Sequence, residues 1–284
     1  MMTKLQFRKR LGRIEELANL SVISAITPPV LGRAITSGGK RLLRTQFFLV
    51  AAFPKSGSTL LTQTLARLPS FALAQAVPGF DRREQELEES KLWSTLTIRK
   101  NTVFQHHVRH SVHTETLINR YPFHLIVLVR NLYDVCASMY DHLFNESPVI
   151  SFAFCNSSIL KDLDSRELRF NFVVDLIVPW YINFFVGWHY YDKQSDAVIQ
   201  WISYEDLVAD QHHTIKSILD KAGTSLDDTM IRSAISADTY SRFNRGIIGR
   251  GKEFLDCHPS TRETIHKYCA YYPSVDFSRI CPDL

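Results

Sequence analysis

The stretch that most constrains the fold of this chain is FFLVAAFPKSGSTLLTQTLARL, from Phe47 to Leu68. Phe47 to Phe53 is a short, almost wholly apolar run, which is typical of a strand buried on both faces. Pro54 ends this run and a polar turn follows. After the turn, leucines recur at helical spacing at positions 60, 61, 65 and 68. The pattern predicts a strand, a tight turn and a helix.

The turn itself has the composition of an anion-binding loop. The first backbone amides of a helix have no partner within the helix and lie at its positive dipole end, so they attract anions. Gly57 allows close backbone approach, while Ser58 and Thr59 add hydroxyl donors. Lys55 adds a mobile cation, but it precedes the glycine, so the turn is not a Walker A loop. An ordinary capped helix is the alternative for such a turn seen alone; we expect a phosphate-like ligand.

Four stretches, in order, resemble one enzyme family. PKSGSTLL resembles the 5′-phosphosulfate loop of the cytosolic-type sulfotransferases that use 3′-phosphoadenosine 5′-phosphosulfate (PAPS). RNLYDVCAS, at 130–138, resembles their 3′-phosphate signature. PWYINFFVGWHYY followed by WISYEDL resembles their helix and strand that end in Tyr-Glu-Asp, and RFNRGIIGRGKEF, at 242–254, resembles their glycine-rich nucleotide loop. The chain is similar to a soluble, bacterial-like member of that family.

This resemblance implies a donor site for PAPS, whose product is 3′-phosphoadenosine 5′-phosphate (PAP), with no metal. The residues that match the family's nucleotide contacts are Lys55, Ser56, Gly57, Ser58, Thr59 and Leu60 in the loop, Arg130 and Ser138 for the 3′-phosphate, Tyr204 for the adenine, and Asn244, Arg245 and Gly246. The last three stand where the family has Arg-Lys-Gly, so the loop is altered but still basic. For Arg130 a surface ion pair is the alternative, and for Tyr204 a packing role.

A histidine after the second predicted strand is the candidate general base. The family carries Lys-x-His on this strand, and Gln105-His106-His107 falls on that pattern, with His107 23 residues before Arg130. A histidine pKa near 6.5 leaves a neutral fraction at pH 7, which suits a base. We expect His106 to point to the opposite face and to pack in the core. Gln105 departs from the family lysine, which leaves Lys55 as the catalytic cation unless the register is shifted by one residue.

Four histidines lie within eight positions, at 106, 107, 110 and 113. A zinc site is the alternative for this group, but only Glu115 adds a further ligand type nearby, so we predict no metal. The five cysteines are odd in number and form no C-x-x-C pair, which favours a reducing compartment without structural zinc. Residues 22–26 are too short for a signal-peptide core. We therefore expect a cytoplasmic protein.

The N-terminal part of the chain differs in charge from the rest. Residues 1–46 hold nine Lys and Arg against two Glu, a net charge of +7 in a chain whose total is +4, so the remainder carries −3. We predict a basic, helical N-terminal arm over residues 1–46 and a single sulfotransferase domain over residues 47–284. A solvated helix is the favoured interpretation of this arm, and binding to an acidic partner or to a membrane surface is the alternative. No nucleic-acid motif accompanies it, so no nucleic-acid partner is expected.

The expected fold is α/β, with three layers, a mostly parallel central sheet and a P-loop-like anion site. Strands are predicted near 47–53, 102–107, 123–129 and 197–202, separated by helices. The segment 69–80 reads as turn-rich, and the charged run 81–91 as a solvated helix or, less favoured, an acceptor-site lid. The apolar window 172–191 is interrupted by Pro179 and polar residues, so its uninterrupted apolar length is shorter than the roughly 20 residues of a span, and we expect a buried helix and not a transmembrane one.

The predicted activity is transfer of a sulfuryl group from PAPS to the hydroxyl of a small-molecule or carrier-bound acceptor, with His107 and Lys55 as the catalytic residues. Two alternatives stay open. A P-loop small-molecule phosphotransferase needs a carboxylate for magnesium, for which Asp134 and Asp206 are the candidates. A nucleotide-binding module without catalysis would explain the glutamine at position 105.

Overall fold

A five-stranded sheet forms the centre of the molecule. The structure, a computed structural model, describes residues 45–78, 85–95, 98, 100–146, 159–195, 198–237, 249–258 and 260–284. These residues fall within one compact unit, Thr45–Leu284. Residues 1–44 of the expected basic arm lie outside the described residues, and so do the expected nucleotide-binding residues Asn244, Arg245 and Gly246. Their predicted roles stay predictions.

The strands and helices alternate along the chain. The strands are β1 (Phe47–Ala52), β2 (Phe71–Ala74), β3 (Asn101–His106), β4 (Phe123–Val129) and β5 (Ile199–Ser203). The helices are α1 (Ser58–Arg67), α2 (Glu89–Thr95), α3 (Val112–Arg120), α4 (Leu132–Asp141), α5 (Arg166–Phe172), α6 (Val178–Gln194), α7 (Tyr204–Ala209), α8 (Gln211–Lys221), α9 (Asp228–Ser236), α10 (Arg250–Cys257) and α11 (Ser260–Cys269). π-helical turns follow α4 (His142–Glu146) and α5 (Val173–Ile177), and a 3₁₀ turn spans Ile159–Asp162.

All neighbouring strands are parallel, in the order β2-β3-β1-β4-β5. The register pairs Ala51 with His106 on one side and Ala52 with Leu128 on the other. The carboxyl ends of β3, β1 and β4 therefore meet at one edge of the sheet, which is where ligands bind in open parallel sheets. The predicted α/β fold with a parallel sheet is confirmed.

Alternate residues of β1 pack into two different cores, one on each face of the sheet. Phe47, Leu49 and Ala51 join a cluster with α4, α6 and the C-terminal residues. Phe48, Val50 and Ala52 join a cluster with α1, α8 and α9. Both faces of the strand are covered, as its continuous apolar sequence predicts, and helices on both faces make the three layers.

Two local predictions are wrong. The segment 69–80, predicted to be turn-rich, contains β2, a strand in addition to the four predicted ones. Its four residues, Phe-Ala-Leu-Ala, pair with β3 at the sheet edge. It is too short to show a periodic pattern, and tertiary pairing decides it. A helix was also predicted over 81–91, but in the described part of this run, residues 85–91, the helix begins only at Glu89. Gln85 instead forms a bridge with Val108, and Leu87 is buried.

The most apolar helical stretch runs through α5, the π-helical turn and α6, from Arg166 to Gln194. At 29 residues it is long enough, and apolar enough, to cross a membrane by length and composition. More than half of its most apolar part is buried inside the protein, where Trp188 and Phe184 are fully covered. A core helix of a soluble protein meets the same criteria, so this feature does not establish a membrane span, and the cytoplasmic location stays a prediction.

Candidate active site

The turn after β1 forms a tight loop that closes back onto the end of the strand. Ser56 donates from both its amide (3.3 Å) and its hydroxyl (2.7 Å) to the carbonyl of Phe53. Lys55 and Gly57 both have left-handed backbone angles, with φ of 67° and 81°. Gly57 is the N-cap of α1 and has no side chain to satisfy the first helical amides. The loop therefore has the geometry of an anion site.

Two buried side chains hold this loop from the outside. The hydroxyl of Tyr181, on α6, donates to the carbonyl of Pro54 at 3.0 Å. Arg130 donates from Nη1 to the carbonyl of Lys55 at 3.1 Å. A Cβ at Gly57 would lie 2.8 Å from the ring of Tyr204. Only glycine satisfies both the left-handed angle and this close approach.

Gln105 connects β3 to the first turn of α1. Its Nε2 donates to the hydroxyl of Ser58 at 3.0 Å, and Thr62 donates to its Oε1 at 2.9 Å. The amide therefore anchors a hydroxyl that the sequence assigns to phosphosulfate binding. The position that departs from the family's lysine supplies no charge, and it fixes the end of the helix instead.

His107 follows β3 directly and lies beside the end of β1. Its Nδ1 is 2.8 Å from the carbonyl oxygen of Ala52. A carbonyl only accepts, so Nδ1 carries the proton, and in the neutral ring Nε2 has the lone pair. Its backbone amide donates to Gln85 at 2.6 Å. The ring is thus held in the tautomer that a base acting through Nε2 requires.

His106 points to the other face of the sheet, as expected, and packs in the core. Its Nε2 accepts a hydrogen bond from the amide of Ala76 at 2.9 Å, and the side chain is 3% exposed. Burial, with a smaller contribution from the adjacent His107, lowers the pKa of His106 to about 3. The residue is therefore a neutral structural acceptor.

The four neighbouring histidines do not converge on one point. His110 bonds Glu115 at 3.3 Å, and His113 donates to the carbonyl of Leu87 at 2.8 Å. His106 and His107 have the separate partners described above. The zinc alternative for this group therefore has no geometric support.

Arg130 and Tyr204 form the other side of the loop. The guanidinium of Arg130 stacks on the ring of Tyr204 with 4.0 Å between Cζ and the ring centroid. Both residues are buried, with 6% and 5% exposed, and burial raises the pKa of Tyr204 while Arg130 opposes the change. Tyr204 thus packs between Gly57 and Arg130, which is the packing role left open above. Its contact with an adenine stays a prediction. Ser138 lies two turns into α4 and is also buried.

The beginning of α4 is capped by the adjacent Asn131, which is itself bonded to a residue of a distant segment. Asn131 accepts from the amides of Tyr133 and Asp134. Glu205, from the Tyr-Glu-Asp stretch, accepts from the amide of Asn131 at 3.2 Å, and burial raises its pKa. Its position in the recognised motif was the available signal, but sequence reasoning did not single it out.

Both carboxylates considered for magnesium have structural partners. Asp134 accepts hydrogen bonds from the amides of Gly249 (2.9 Å) and Gly251 (2.6 Å). Asp206 accepts from the hydroxyl of Ser203 at 2.6 Å, and its amide donates back to the same oxygen at 3.0 Å. These contacts cap α10 and α7 and offer no support for the phosphotransferase alternative.

A cluster of possible metal ligands lies near the C-terminus. His266, Cys281 and Asp283 have ligand atoms within 4.8 Å of one another. The hydroxyl of Tyr133 lies among them, donating to Asp283 at 2.8 Å and lying 3.1 Å from His266 Nε2. Burial raises the pKa of the Cys281 thiol to about 12. Hydrogen bonds account for this convergence, and the expectation of a metal-free enzyme stays a prediction.

The fold and loop define a P-loop-like α/β protein with an anion site at the sheet edge. The sequence profile of the family described as Sulfotransferase domain matches residues 45–244, most of the chain. The chain therefore belongs to the sulfotransferase family, and this membership supports a sulfuryl-transferring activity.

One solved structure shares the fold of this chain, and two further alignments have lower scores. Mouse sulfotransferase SULT7A1 complexed with PAP aligns with a TM-score of 0.58 at 18% identity, covering 83% of this chain and 87% of that chain. Retinol dehydratase in a complex with retinol and PAP aligns with a TM-score of 0.47 at 13% identity, over 85% and 86%. Sulfotransferase STF1 from Mycobacterium tuberculosis H37Rv gives 0.43 at 15%, over 80% of each chain. Comparison with curated protein sequences gives no match.

Proposed function

We propose that this protein transfers the sulfuryl group of PAPS to a hydroxyl of a small-molecule or carrier-bound acceptor. Membership of the sulfotransferase family supports the reaction class, and the PAP bound to mouse SULT7A1 supports the donor. The observation that carries the proposal is the hydrogen bond from His107 to Ala52 at 2.8 Å. It ties a correctly protonated imidazole to the strand that leads into the anion loop.

In the proposed reaction, the acceptor oxygen attacks sulfur in line with the departing phosphate oxygen. The new oxygen–sulfur bond forms as the bond between sulfur and the leaving oxygen breaks. His107 takes the acceptor's proton on Nε2, and the electron pair stays on the phosphate of PAP. Lys55 and the amides of residues 56–59, with Leu60 beside them, stabilise the charge on the leaving oxygen.

The 3′-phosphate contacts fix the register of the donor. Arg130 and Ser138 would bind this phosphate together with Arg245, which is flanked by Asn244 and Gly246. Arg130 supports this role because its guanidinium also bonds the carbonyl of Lys55, so one side chain spans both ends of the nucleotide site. Tyr204, under the guanidinium, would border the adenine.

Thermal unfolding with three ligands tests the donor assignment. At 100 times its dissociation constant a ligand adds about 2.7 kcal/mol to the unfolding free energy, which raises the midpoint by several degrees. We expect a larger shift with PAP than with adenosine 5′-phosphate (AMP) at equal concentration, and none specific to ATP with magnesium. A shift with ATP and magnesium alone would replace the proposal by a phosphotransferase.

The amide at position 105 favours a second candidate, a nucleotide-binding module without transfer. Gln105 supplies no positive charge to the leaving oxygen, and its hydrogen bonds to Ser58 and Thr62 keep it in place. PAP binding without sulfuryl transfer from PAPS to any of a panel of phenols, alcohols and sugars would select this candidate. Transfer that is unchanged after dialysis against a chelator would select the metal-free enzyme.

A further inference from the structure

We propose that Asp134 is the positioning residue of the 3′-phosphate half of the donor site. Its carboxylate holds the guanidinium of Arg130 and, at the same time, pins the backbone at Gly249 and Gly251 against α4. The inference rests on the proposed function, since Arg130 is assigned there to the 3′-phosphate.

The first line of support is that Asp134 caps a helix to which it does not belong. The N-cap of α10 is Gly249, with φ of 86° and no capping side chain of its own. The two oxygens of Asp134 accept from the amides of Gly249 (2.9 Å) and Gly251 (2.6 Å). A carboxylate at a helix N-terminus is stabilised by these donors and by the helix dipole. Asp134 therefore occupies the anion position at α10.

The second observation in support is the direct contact between the backbones of α4 and α10, which we call the joint between these helices. A Cβ at Gly251 would lie 2.5 Å from Cβ of Tyr133 and 2.7 Å from the amide nitrogen of Asp134. The backbone of α10 thus contacts the backbone of α4 directly, which only glycine permits. In sequence this joint follows three residues after Gly246, the last of the three matched loop positions.

The third observation in support is the ion pair between Asp134 and Arg130. Nη2 of Arg130 lies 3.5 Å from Oδ2 of Asp134, and both side chains are more than nine-tenths buried. A bare carboxylate beside a phosphate-binding arginine would repel the phosphate. Here two amides, the α10 dipole and Arg130 share its charge, so the contact orients the guanidinium at a reduced electrostatic cost.

Asp134→Asn separates positioning from charge. Asparagine is of the same size, but it presents one acceptor and one NH₂ group, so one of the two glycine amides would face another donor. If Asp134 acted only through its charge, the neutral variant would bind PAP more tightly. If it positions Arg130 and the α10 joint, PAP binding weakens. The two views predict opposite signs.

The experiment measures dissociation constants of PAP and AMP by calorimetry, which isolates the contribution of the 3′-phosphate. We expect Asp134→Asn to weaken PAP at least tenfold while AMP changes by less than twofold, and the KM for PAPS to rise with kcat nearly constant. The matched control is Asp210→Asn, whose carboxylate caps α8 through the amide of His213 at 2.8 Å. Both nucleotides should bind this control as they bind the unmodified protein.

Each outcome decides a different point. If Asp134→Asn leaves the ratio of the PAP and AMP dissociation constants unchanged, whether or not both nucleotides bind more weakly, the positioning role alone is overturned. Tighter binding of PAP by this variant has the same consequence. An unmodified protein that does not prefer PAP over AMP overturns the proposed donor, and this inference with it. If Asp134→Asn does not fold, Asp134→Ser, whose hydroxyl can still accept one amide without forcing two donors together, is subject to the same criteria.

Discussion

The two halves of the proposed donor site are built in different ways. The anion loop, defined here as residues 53–60, takes its turn conformation from its own residues, through the left-handed angles of Lys55 and Gly57 and the hydrogen bond from Ser56 to Phe53, and Tyr181 and Arg130 then brace it. The 3′-phosphate half, defined as residues 130–138 with Gly249 and Gly251, is held by contacts across the chain. Asp134 bonds Gly251 117 residues away, and the amide of Leu132 donates to the carbonyl of Ile280 at 2.8 Å.

The two halves are therefore sensitive to different kinds of substitution. A local loop depends on the backbone angles that its own residues can adopt, so it changes most when Gly57 is replaced. An assembled site depends on the docking of separate helices, so it changes most when a joint such as that of Asp134 is broken. The anion loop also receives support from β3, through the hydrogen bond from Gln105 to Ser58.

The largest effect is expected at the base. His107→Asn places an amide NH₂ near the position of Nδ1, so the hydrogen bond to Ala52 can persist while the group at Nε2 is lost. We expect turnover to fall by about 10²–10⁴ with PAP affinity within twofold, since positioned base catalysis has this magnitude. Steady-state kinetics and calorimetry measure the two quantities.

The control is His113→Ala, which removes an exposed histidine whose contact is to Leu87. Its turnover should be that of the unmodified protein. Unchanged turnover in His107→Asn would exclude His107 as the general base.

A smaller effect is expected when the local half is strained. Gly57→Ala combines a left-handed φ of 81° with a Cβ 2.8 Å from Tyr204, so we expect a loss of about 2–4 kcal/mol in unfolding free energy. Gly223→Ala is the matched control, because φ is 64° but nothing lies within 4 Å; about 1 kcal/mol is expected. Urea unfolding measures both. Equal losses would show that the contact with Tyr204 does not restrict this position.

The smallest effect is the loss of unfolding free energy that the buried His106, at the end of β3, causes at acid pH. The pKa of His106 is lowered to about 3, against 6.5 for an ordinary histidine, so below pH 6.5 the unfolded chain takes up a proton that the folded protein does not. Stability is then complete above pH 6.5 and falls as the pH drops towards 3, by about 1.4 kcal/mol per pH unit. Between pH 7 and pH 5 this amounts to about 2 kcal/mol.

His106→Gln isolates this contribution, because the glutamine oxygen can accept the hydrogen bond from Ala76 but does not titrate. Urea unfolding at pH 7 and pH 5 should show a pH-dependent loss about 2 kcal/mol larger in the unmodified protein than in the variant. Other titrating groups contribute equally to both and cancel. Parallel pH dependence in the two proteins would mean that His106 is protonated in the folded state.

The prediction from sequence was most successful where the signal is local. The apolar run of β1 and the leucines of α1 specify a strand, a turn and a helix whose side chains are neighbours in the chain. The prediction failed where the adjacent residues in the sequence form no recognisable pattern. β2 has four residues at a sheet edge, and Leu87 interrupts a charged run because it packs in the core.

The sequence alone was enough to predict the parallel α/β fold and the strand, turn and helix of the anion loop, because hydrophobic periodicity and turn residues act within a few positions. The family followed from the resemblance of four motifs in order, and the family profile over residues 45–244 agrees with it. Three contacts could be seen only in the folded chain: Gln105 anchors Ser58, Tyr204 packs between Gly57 and Arg130, and Asp134 caps α10. These contacts join residues 47 positions apart for Gln105 and Ser58, and more than a hundred apart for Tyr204 with Gly57 and for Asp134 with Gly251. Their geometry follows from how helices dock on the sheet, which no short pattern encodes.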